Sequence, residues 1–429
     1  MKNILLYQLT ASIIVWLSLE PVMANSSPEP FITSWNSSPQ PVWDDDFIFP
    51  TKIPKTLEDQ TVIQAIRTSL GGDSFKIEMT NAYGNEPVKL GGVTIGLSES
   101  PTDFYKVTQT VTVTFGGAKE ATIQPGSKLL SDEIALKLPS LANVVISTYL
   151  PEKTILETFH WDGRQTNYIV HGDQTQAFNI NADRIETTVR LFVSSLFVSN
   201  GNERGAIAVI GDSITDGATA GLDNNTRWTD FLAERLCKQN IAVFNAGISG
   251  ARLLSDGMGS NSLARLERDV LSKPGVSSLI VLLGINDIAW PGTLFAPFSS
   301  RPEIDELIEG YTQLAEQTHF HGIKIFASTL PPFEGALPKT PLNDYYNKEK
   351  NALRRAVNDW IRSTDVFDGV IDMEKILQSP ENPNRLNDKF DSGDHLHPGI
   401  EGNRAMAYGF DKAIFTKEAT DLTQMGVND

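Results

Sequence analysis

The sequence predicts an α/β protein of two domains, an all-β sandwich followed by a three-layer α/β/α domain with a five-stranded parallel sheet. In the first half of the chain, apolar residues alternate with polar ones, which is the period of strands that bury one face. In the second half, short continuous apolar runs alternate with longer segments of helical period. That second pattern is typical of a parallel sheet covered by helices on both faces.

The first 24 residues resemble a secretory signal peptide. Lys2 supplies a positive charge, residues 4–19 are mostly apolar, and Val22-Met23-Ala24 forms a cleavage site before a polar stretch. We expect the mature chain to begin at Asn25, to be secreted or periplasmic, and to have no stable membrane insertion after cleavage. The alternative is an uncleaved membrane anchor, which the polar residues within the apolar stretch disfavour because a span needs about 20 apolar residues.

The composition argues against several classes of function. The 429 residues carry a formal net charge of −17, whereas nucleic-acid binding depends on Lys and Arg side chains that neutralise phosphates. Nucleic acid is therefore not an expected partner, and neither is an anionic lipid surface. Cys237 is the one cysteine in the sequence, so neither an internal disulfide nor a multi-cysteine zinc site can form.

Strand period dominates residues 25–200, which we predict to be a jelly-roll-like sandwich domain. Phe75, Ile77 and Met79 alternate with charged residues, as expected of a half-buried strand. Similar runs, with turn signals between them, occupy residues 93–97, 107–115, 144–150 and 189–198. Residues 200–205 are the expected link to the next domain.

Residues 205–415 are predicted to form the α/β domain, followed by a C-terminal tail at 416–429. Its buried strands are expected at residues 206–210, 241–244, 279–283, 323–327 and 370–371. Between them, apolar residues recur at helical spacing, most clearly at residues 228–236, 304–315 and 353–361. In a doubly wound domain of this kind, ligands bind beyond the carboxyl ends of the strands.

The strongest chemical signal lies at the end of the first of these strands, where the chain continues into Gly211-Asp212-Ser213. A serine in a glycine-bounded turn can project its hydroxyl into the crevice, although on this motif alone a helix cap is an equal alternative. Other groups of this kind follow the later strands, namely Gly247, Asn286, Asp394 and His397. Each has its own alternative as a turn, a helix cap or a surface ion pair. Their occurrence at successive strand ends favours a nucleophile, a base, an acceptor that fixes the tautomer of the base, and an oxyanion hole.

The spacing of the last motif distinguishes its two histidines. Asp394 and His397 are separated by i, i+3 and can share one face of a turn, whereas His395 points elsewhere. His397 is therefore the expected base with Asp394 behind it, and His395 is expected to be a solvated side chain rather than a pocket wall. We expect no metal and no cofactor, because no ligand-like cluster includes the remaining histidines, His160, His171, His319 and His321.

The four blocks resemble those of the SGNH, or GDSL, hydrolases, a family of serine esterases and lipases. They are Gly211-Asp212-Ser213, Gly247 in Asn-Ala-Gly, Asn286 in Gly-Ile-Asn-Asp, and Asp394 to His397 in Asp-x-x-His-Pro. The resemblance covers residues 205–415 and implies a flavodoxin-like domain with Ser213 as nucleophile, His397 as base and Asp394 as its partner. It also implies an oxyanion hole made by the backbone N–H groups of Ser213 and Gly247 and the side chain of Asn286.

The first half of the chain resembles the β-sandwich that precedes the catalytic domain in one bacterial branch of this family. Asn81-Ala82-Tyr83-Gly84 and Gln165-Thr166-Asn167-Tyr168 carry that resemblance. Some family members remove acyl groups from polysaccharides, and others hydrolyse lipids or small esters. Members often have Asn after a second glycine that follows block two, at a position near the acyl or alcohol pocket. This chain has Ala251 there, followed by Arg252.

The resemblance implies an exported serine esterase that hydrolyses carboxylic esters through an acyl-enzyme on Ser213. We predict short acyl groups, acetyl above all, on a small ester or an acylated polysaccharide, because a β-sandwich precedes the catalytic domain and no long apolar lid sequence is present. The alternatives are a lipase or phospholipase, an O-acyltransferase of the same fold, and a noncatalytic carbohydrate-binding protein. The sequence leaves the oligomeric state open.

Overall fold

The computed structural model describes residues 31–44, 47–100, 103–176, 183–199, 201–202, 204–342 and 344–415. The predicted signal peptide at residues 1–24 and the predicted tail at 416–429 lie outside the described residues. Within the described ranges, every helix is too short or too polar to cross a membrane.

Antiparallel strands make up the first domain. In chain order they are β1 (Ile32–Asn36), β2 (Gln40–Pro41), β3 (Thr56–Leu57), β4 (Gln60–Arg67), β5 (Ser74–Thr80), β6 (Val88–Leu90), β7 (Gly92–Ser98), β8 (Val107–Val113), β9 (Ala121–Ile123), β10 (Lys128–Leu130), β11 (Asn143–Leu150), β12 (Thr154–Ile155), β13 (Thr158–Phe159), β14 (Asn167–His171), β15 (Arg184–Thr187) and β16 (Val193–Ser199). The two larger sheets have the strand orders β15-β14-β4-β11-β7-β8 and β1-β16-β5-β10. Apolar side chains of both sheets meet in one core, which confirms the predicted all-β sandwich.

Alternation along β5 shows why the period-two pattern was informative. Phe75, Ile77 and Met79 are fully buried in the core of the sandwich. Glu78 is buried as well, because it faces the second domain rather than solvent. A strand in this domain can therefore have two buried faces although its sequence alternates.

One predicted strand is shorter than expected. The pattern predicts a strand over residues 189–198, but β16 covers only its second part. Phe192 has a left-handed backbone with φ of 64°, which a regular strand cannot adopt. Arg190 instead forms an isolated bridge with His160. Arg190 and Phe192 thus belong to an irregular segment, in which buried residues do not recur at every second position.

The second domain consists of parallel strands with helices between them. The strands are β17 (Ala206–Gly211), β18 (Ala242–Gly247), β19 (Val276–Leu282), β20 (Lys324–Ser328) and β21 (Gly369–Ile371). The helices are α1 (Ser213–Asp216), α2 (Trp228–Leu236), α3 (Ser262–Leu266), α4 (Ile285–Ala289), α5 (Ile304–Phe320), α6 (Lys348–Ser363), α7 (Met373–Leu377) and α8 (Ile400–Tyr408). A π-helical turn at Glu267–Leu271 follows α3, and 3₁₀ turns cover Cys237–Gln239 and Lys412–Phe415.

The layers match the predicted three-layer α/β/α arrangement. The spatial strand order is β18-β17-β19-β20-β21, the flavodoxin-like order. Helices α2, α7 and α8 pack together as one group, and α3, α4, α5 and α6 pack together as another. Every residue of β17 is buried, which explains why the sequence of this central strand is continuously apolar.

The two domains share one hydrophobic core and a polar interface. Strand β1 packs alongside β18, and the amide of Asn36 donates to the backbone carbonyl of Asn245 over 3.2 Å. Lys273 crosses the interface, donating to the Glu78 carboxylate at 2.7 Å and to the Ser195 hydroxyl at 2.8 Å. Both members of this ion pair are almost inaccessible to solvent. Loss of Lys273 would leave the buried Glu78 carboxylate with the half-exposed Lys128, at 3.3 Å, as its charged partner.

Lys273→Met should reduce the free energy of unfolding by about 3 kcal/mol, because the Glu78 carboxylate loses its buried partner. Burial alone would raise the pKa of Glu78, but Lys273 beside it holds that pKa below its usual value. The ionised pair therefore contributes stability above the pKa of an unfolded Glu, and this contribution is lost as the pH falls through the folded pKa. Urea unfolding of wild type and variant, near neutral pH and in acid, should show a difference in the free energy of unfolding that is smaller in acid. A variant as stable as wild type at neutral pH would contradict this role of the pair.

Candidate active site

Strand β17 ends in a turn that presents a serine. Asp212 follows the strand, and its Oδ1 accepts a hydrogen bond from the backbone N–H of Ile214 at 3.0 Å. This cap starts helix α1 at Ser213. Strands β18 and β19 end on either side of β17, so Ser213 lies at the carboxyl edge of the sheet where ligands bind in this fold.

Ser213, His397 and Asp394 form one hydrogen-bonded chain. Ser213 Oγ lies 2.8 Å from His397 Nε2, and His397 Nδ1 lies 2.7 Å from Asp394 Oδ2. The backbone N–H groups of Leu396 and His397 donate to Asp394 Oδ1 at 2.9 and 2.8 Å. The serine hydroxyl is therefore within reach of an imidazole that can take its proton.

The carboxylate of Asp394 fixes the tautomer of His397. Burial by itself would raise the pKa of Asp394, but hydrogen bonds from the His397 ring and from nearby backbone N–H groups hold that pKa well below its usual value. An ionised Asp394 accepts a hydrogen bond from Nδ1–H, which leaves Nε2 free to accept the proton of Ser213. The arrangement can thus produce a serine nucleophile.

Gly247 does not offer a donor to this site, contrary to the prediction. Its backbone N–H donates to the side-chain oxygen of Asn245 at 2.7 Å, so it is not available to an oxyanion. A Cβ at Gly247 would come within 2.5 Å of the backbone nitrogen of Asp216. Glycine is required here because the end of β18 packs closely against α1.

Gly250, three residues further along, occupies the place expected of Gly247. It lines the same cleft as Ser213 and Asn286. Its backbone is left-handed with φ of 71°, and a Cβ would come within 2.8 Å of the Trp290 ring. In the part of the chain that the structure describes, no group accepts a hydrogen bond from the Gly250 N–H. This N–H can therefore be offered to a substrate oxygen.

Two contacts orient the amide of Asn286. Its Oδ1 accepts from the Tyr345 hydroxyl at 2.6 Å, and its Nδ2 donates to the backbone carbonyl of Ala251 at 3.0 Å. A second hydrogen on Nδ2 is left over for a ligand. The N–H of Ser213 comes before the first intrahelical bond of α1. Ser213, Gly250 and Asn286 thus supply three donors along one cleft.

Buried carboxylates hold the loop at residues 248–254, which carries Gly250. Asp216 Oδ2 accepts from the N–H and from the hydroxyl of Ser249, at 2.9 and 2.7 Å. The Asp287 carboxylate accepts from two backbone N–H groups at the other end of the loop, at 2.8 and 2.9 Å. Burial raises the pKa of Asp287 to about 6. The 248–254 loop is therefore fixed at both ends.

A largely apolar cleft of about 330 Å³ lies next to Ser213. Phe49 and Trp161 of the first domain stack with ring centroids 5.2 Å apart, and Trp290 and Phe295 of the second domain stack at 4.5 Å. Both ring pairs line the cleft. The site is thus built between the two domains, and its walls suit an uncharged group with an apolar surface.

His395 takes no part in the chain of hydrogen bonds from Ser213. Its Nδ1 bonds to the carboxylate of Asp391, and the residue has a left-handed backbone with φ of 61°. Its side chain does not line the cleft. Among the described residues, no group of three or more His, Cys, Asp or Glu side chains could hold a metal ion.

Several residues around the site were not predicted. Asp216 lies three residues after Ser213, and Asp287 directly follows Asn286 in the third block, so their proximity in sequence was an available signal. Gly250 could have been found as the second glycine of Asn245-Ala246-Gly247-Ile248-Ser249-Gly250, the segment that begins with block two. The aromatic walls and the tyrosine that orients Asn286 lie outside all four blocks, and no pattern in the sequence links them to the site.

Comparison with known proteins assigns the second domain to a family. Residues 207–410 match the family model of the GDSL-like lipases and acylhydrolases, which confirms the resemblance carried by the four blocks. No curated protein matches the chain significantly. Similar solved structures include a GDSL-like lipase from Bacteroides thetaiotaomicron, with 17% identity, 49% of this chain and 88% of that chain covered, and a TM-score of 0.36. Another is an acetylxylan esterase from Geobacillus stearothermophilus, with 22% identity, 48% and 92% covered, and a TM-score of 0.35.

Asn286→Ala should lower kcat by about a hundredfold to a thousandfold with little change in KM, because an oxyanion needs the amide donor more than a ground-state carbonyl does. Some stability should also be lost, since Tyr345 loses its buried acceptor. Tyr345→Phe is the matched control, because it removes that hydrogen bond and keeps the amide. Steady-state kinetics and thermal unfolding of both variants separate the two effects. A kcat within a few fold of wild type would remove Asn286 from the site.

Asp212→Asn should remove a pH-dependent loss of stability. Burial raises the pKa of Asp212 to about 7, and its Oδ2 has no hydrogen-bond partner among the described residues. An unfolded Asp, with a pKa of about 3.9, releases its proton earlier, so Asp212 lowers stability progressively as the pH rises from about 4 to about 7. The stability gained by the variant over wild type should therefore grow across this range in thermal unfolding. A gain that stays constant with pH would contradict the raised pKa.

Proposed function

We propose that the protein is an exported serine esterase. Residues 207–410 match the GDSL-like lipases and acylhydrolases, which supports a carboxylic ester hydrolase. The observation that carries the proposal is the chain of hydrogen bonds from Ser213 through His397 to Asp394, over 2.8 and 2.7 Å. Export is proposed from the signal-like first 24 residues. The mass of the exported chain, which should begin at Asn25, tests that part.

The reaction runs through an acyl-enzyme on Ser213. His397 takes the serine proton as the hydroxyl oxygen attacks the ester carbonyl carbon, and Asp394 stabilises the imidazolium. The negative oxygen of the tetrahedral intermediate accepts hydrogen bonds from the Ser213 and Gly250 N–H groups and the Asn286 amide. The bond to the alcohol oxygen then breaks as His397 protonates it. Water activated by the same imidazole attacks the acyl group, releasing the acid and the free serine.

We propose that the acyl group is short, acetyl in the first place, and that it is carried by a carbohydrate or a small alcohol. The position of the first domain supports this, since Ile48, Phe49 and Trp161 form a wall of the cleft beside Ser213. These side chains restrict the space around the nucleophile and offer flat apolar surfaces to the ring of a cyclic alcohol.

A lipase that acts on longer acyl chains is the second candidate, and the apolar lining of the cleft favours it. Few polar atoms are exposed in this cleft, and Ile48 at its rim is 41% exposed. Each CH₂ group of an alkyl chain gains about 0.8 kcal/mol when it is buried. Transfer of the acyl group to a sugar hydroxyl would use the same residues, with the sugar in place of water.

Aryl esters of graded chain length should be hydrolysed with the highest kcat/KM for acetate, and Ser213→Ala should lose more than about a thousandfold in kcat. Steady-state kinetics on the series, together with acid release from acetylated polysaccharides, measures both. Faster turnover of long chains than of acetate would replace the acetyl proposal by the lipase. Acylated sugars formed in place of acid would favour the transferase. An inactive wild type whose Ser213 resists fluorophosphonate would favour a noncatalytic carbohydrate-binding protein.

A further inference from the structure

A buried histidine of the first domain bonds to the helix that carries Ser213. His160 Nε2 lies 3.0 Å from Asp216 Oδ1, and His160 Nδ1 lies 3.0 Å from the backbone carbonyl oxygen of Ser38. Asp216 is the last residue of α1. The side chains of His160 and Asp216 are both more than nine-tenths buried, so solvent does not compete for this contact.

The second oxygen of Asp216 holds the loop that carries Gly250. Oδ2 accepts from both the N–H and the hydroxyl of Ser249, and Gly250 is the next residue. Burial by itself would raise the pKa of Asp216, but His160, Arg227 and Ser249 beside it hold that pKa below its usual value. The carboxylate is therefore a charged acceptor, and hydrogen bonds to a charged acceptor are stronger than those between neutral groups.

We propose that His160 is a positioning residue, which acts through Asp216 to fix the peptide between Ser249 and Gly250 so that the Gly250 N–H faces the developing oxyanion. This inference rests on the proposed function. It gives the first domain a part in the chemistry, although that domain contains none of the reacting groups.

Removal of the imidazole would leave one oxygen of Asp216 buried without its partner. The carboxylate would then rotate or admit water to regain a hydrogen bond, and either change displaces Ser249 and Gly250. A displacement of about 1 Å in a group that binds the transition state can lower the rate about a hundredfold. Binding of the ground state in the cleft would change little, so the expected signature is a loss in kcat at nearly constant KM.

The test compares His160→Ala with Lys273→Met in the full-length protein. Both substitutions remove a buried side chain that joins the domains through a carboxylate, but Lys273 contacts Glu78 and does not line the cleft. His160→Ala should lower kcat by about tenfold to a hundredfold, with KM within about threefold of wild type. Lys273→Met should lower the thermal midpoint and leave kcat within about twofold. His160→Gln, whose amide N–H can donate to Asp216, should recover part of kcat.

Two outcomes of this comparison overturn the inference. One is a His160→Ala enzyme with the kcat of wild type. The other is an equal loss of kcat in Lys273→Met, because the effect would then come from a weakened interface and not from the contact with Asp216.

A double-mutant cycle tests whether His160 acts through the loop. Ser249→Ala removes the hydroxyl that donates to Asp216 and keeps the backbone N–H. The double variant should lose less kcat than the product of the two single losses, by at least about threefold, because both substitutions disrupt one network. Losses that simply multiply would contradict the proposal. If His160→Ala does not fold, His160→Gln takes its place in the cycle.

Amide hydrogen exchange separates a failure of this inference from a failure of the proposed function, because it needs no substrate. Exchange in residues 248–254 should be faster in His160→Ala than in wild type and unchanged in Lys273→Met. This pattern in a protein without esterase activity would support the bracing of the loop and overturn the proposed function. Unchanged exchange in an active His160→Ala esterase would overturn the inference alone.

Discussion

The buried carboxylate of Asp216 joins three parts of the molecule that lie far apart in the sequence. Asp216 ends the short helix that begins with Ser213. One of its carboxylate oxygens lies against His160 of the first domain, and the other accepts hydrogen bonds from Ser249. A carboxylate in such a position is tolerated only when hydrogen bonds surround it. The need to satisfy one buried charge therefore fixes the nucleophile, the 248–254 loop and the first domain relative to each other.

The domain interface also contributes to the site through Arg227. Its side chain donates to the backbone carbonyl of Asp216 at 2.6 Å and to that of Gly163, in the first domain, at 2.7 Å. Together with the buried pair of Lys273 and Glu78, these contacts provide partners for polar groups that the packing of the two domains removes from water. A cleft walled by side chains from both domains can then keep a constant shape.

Gly247 and Gly250 are close in the sequence, but glycine is needed at the two positions for different reasons. Gly247 lacks a side chain because β18 approaches the backbone of Asp216, and its N–H is already bonded. Gly250 lines the cleft, its N–H has no acceptor among the described residues, and its left-handed backbone disfavours side chains. A glycine in a motif therefore identifies a backbone constraint, and only the hydrogen-bond partners show which constraint it is.

Patterns in the sequence were enough to predict both folds, the five parallel strands and a group of polar side chains near the end of β17. These follow from residues near each other in the chain, since burial periods define the elements and parallel strands bring their carboxyl ends to one edge. The folded chain was needed to see that Gly250 lines the cleft in place of Gly247, that Tyr345 bonds to Asn286 and that His160 reaches Asp216. Those contacts join irregular segments that are distant in sequence. Their positions depend on backbone torsions and on how the two domains pack, for which the chain has no periodic signal.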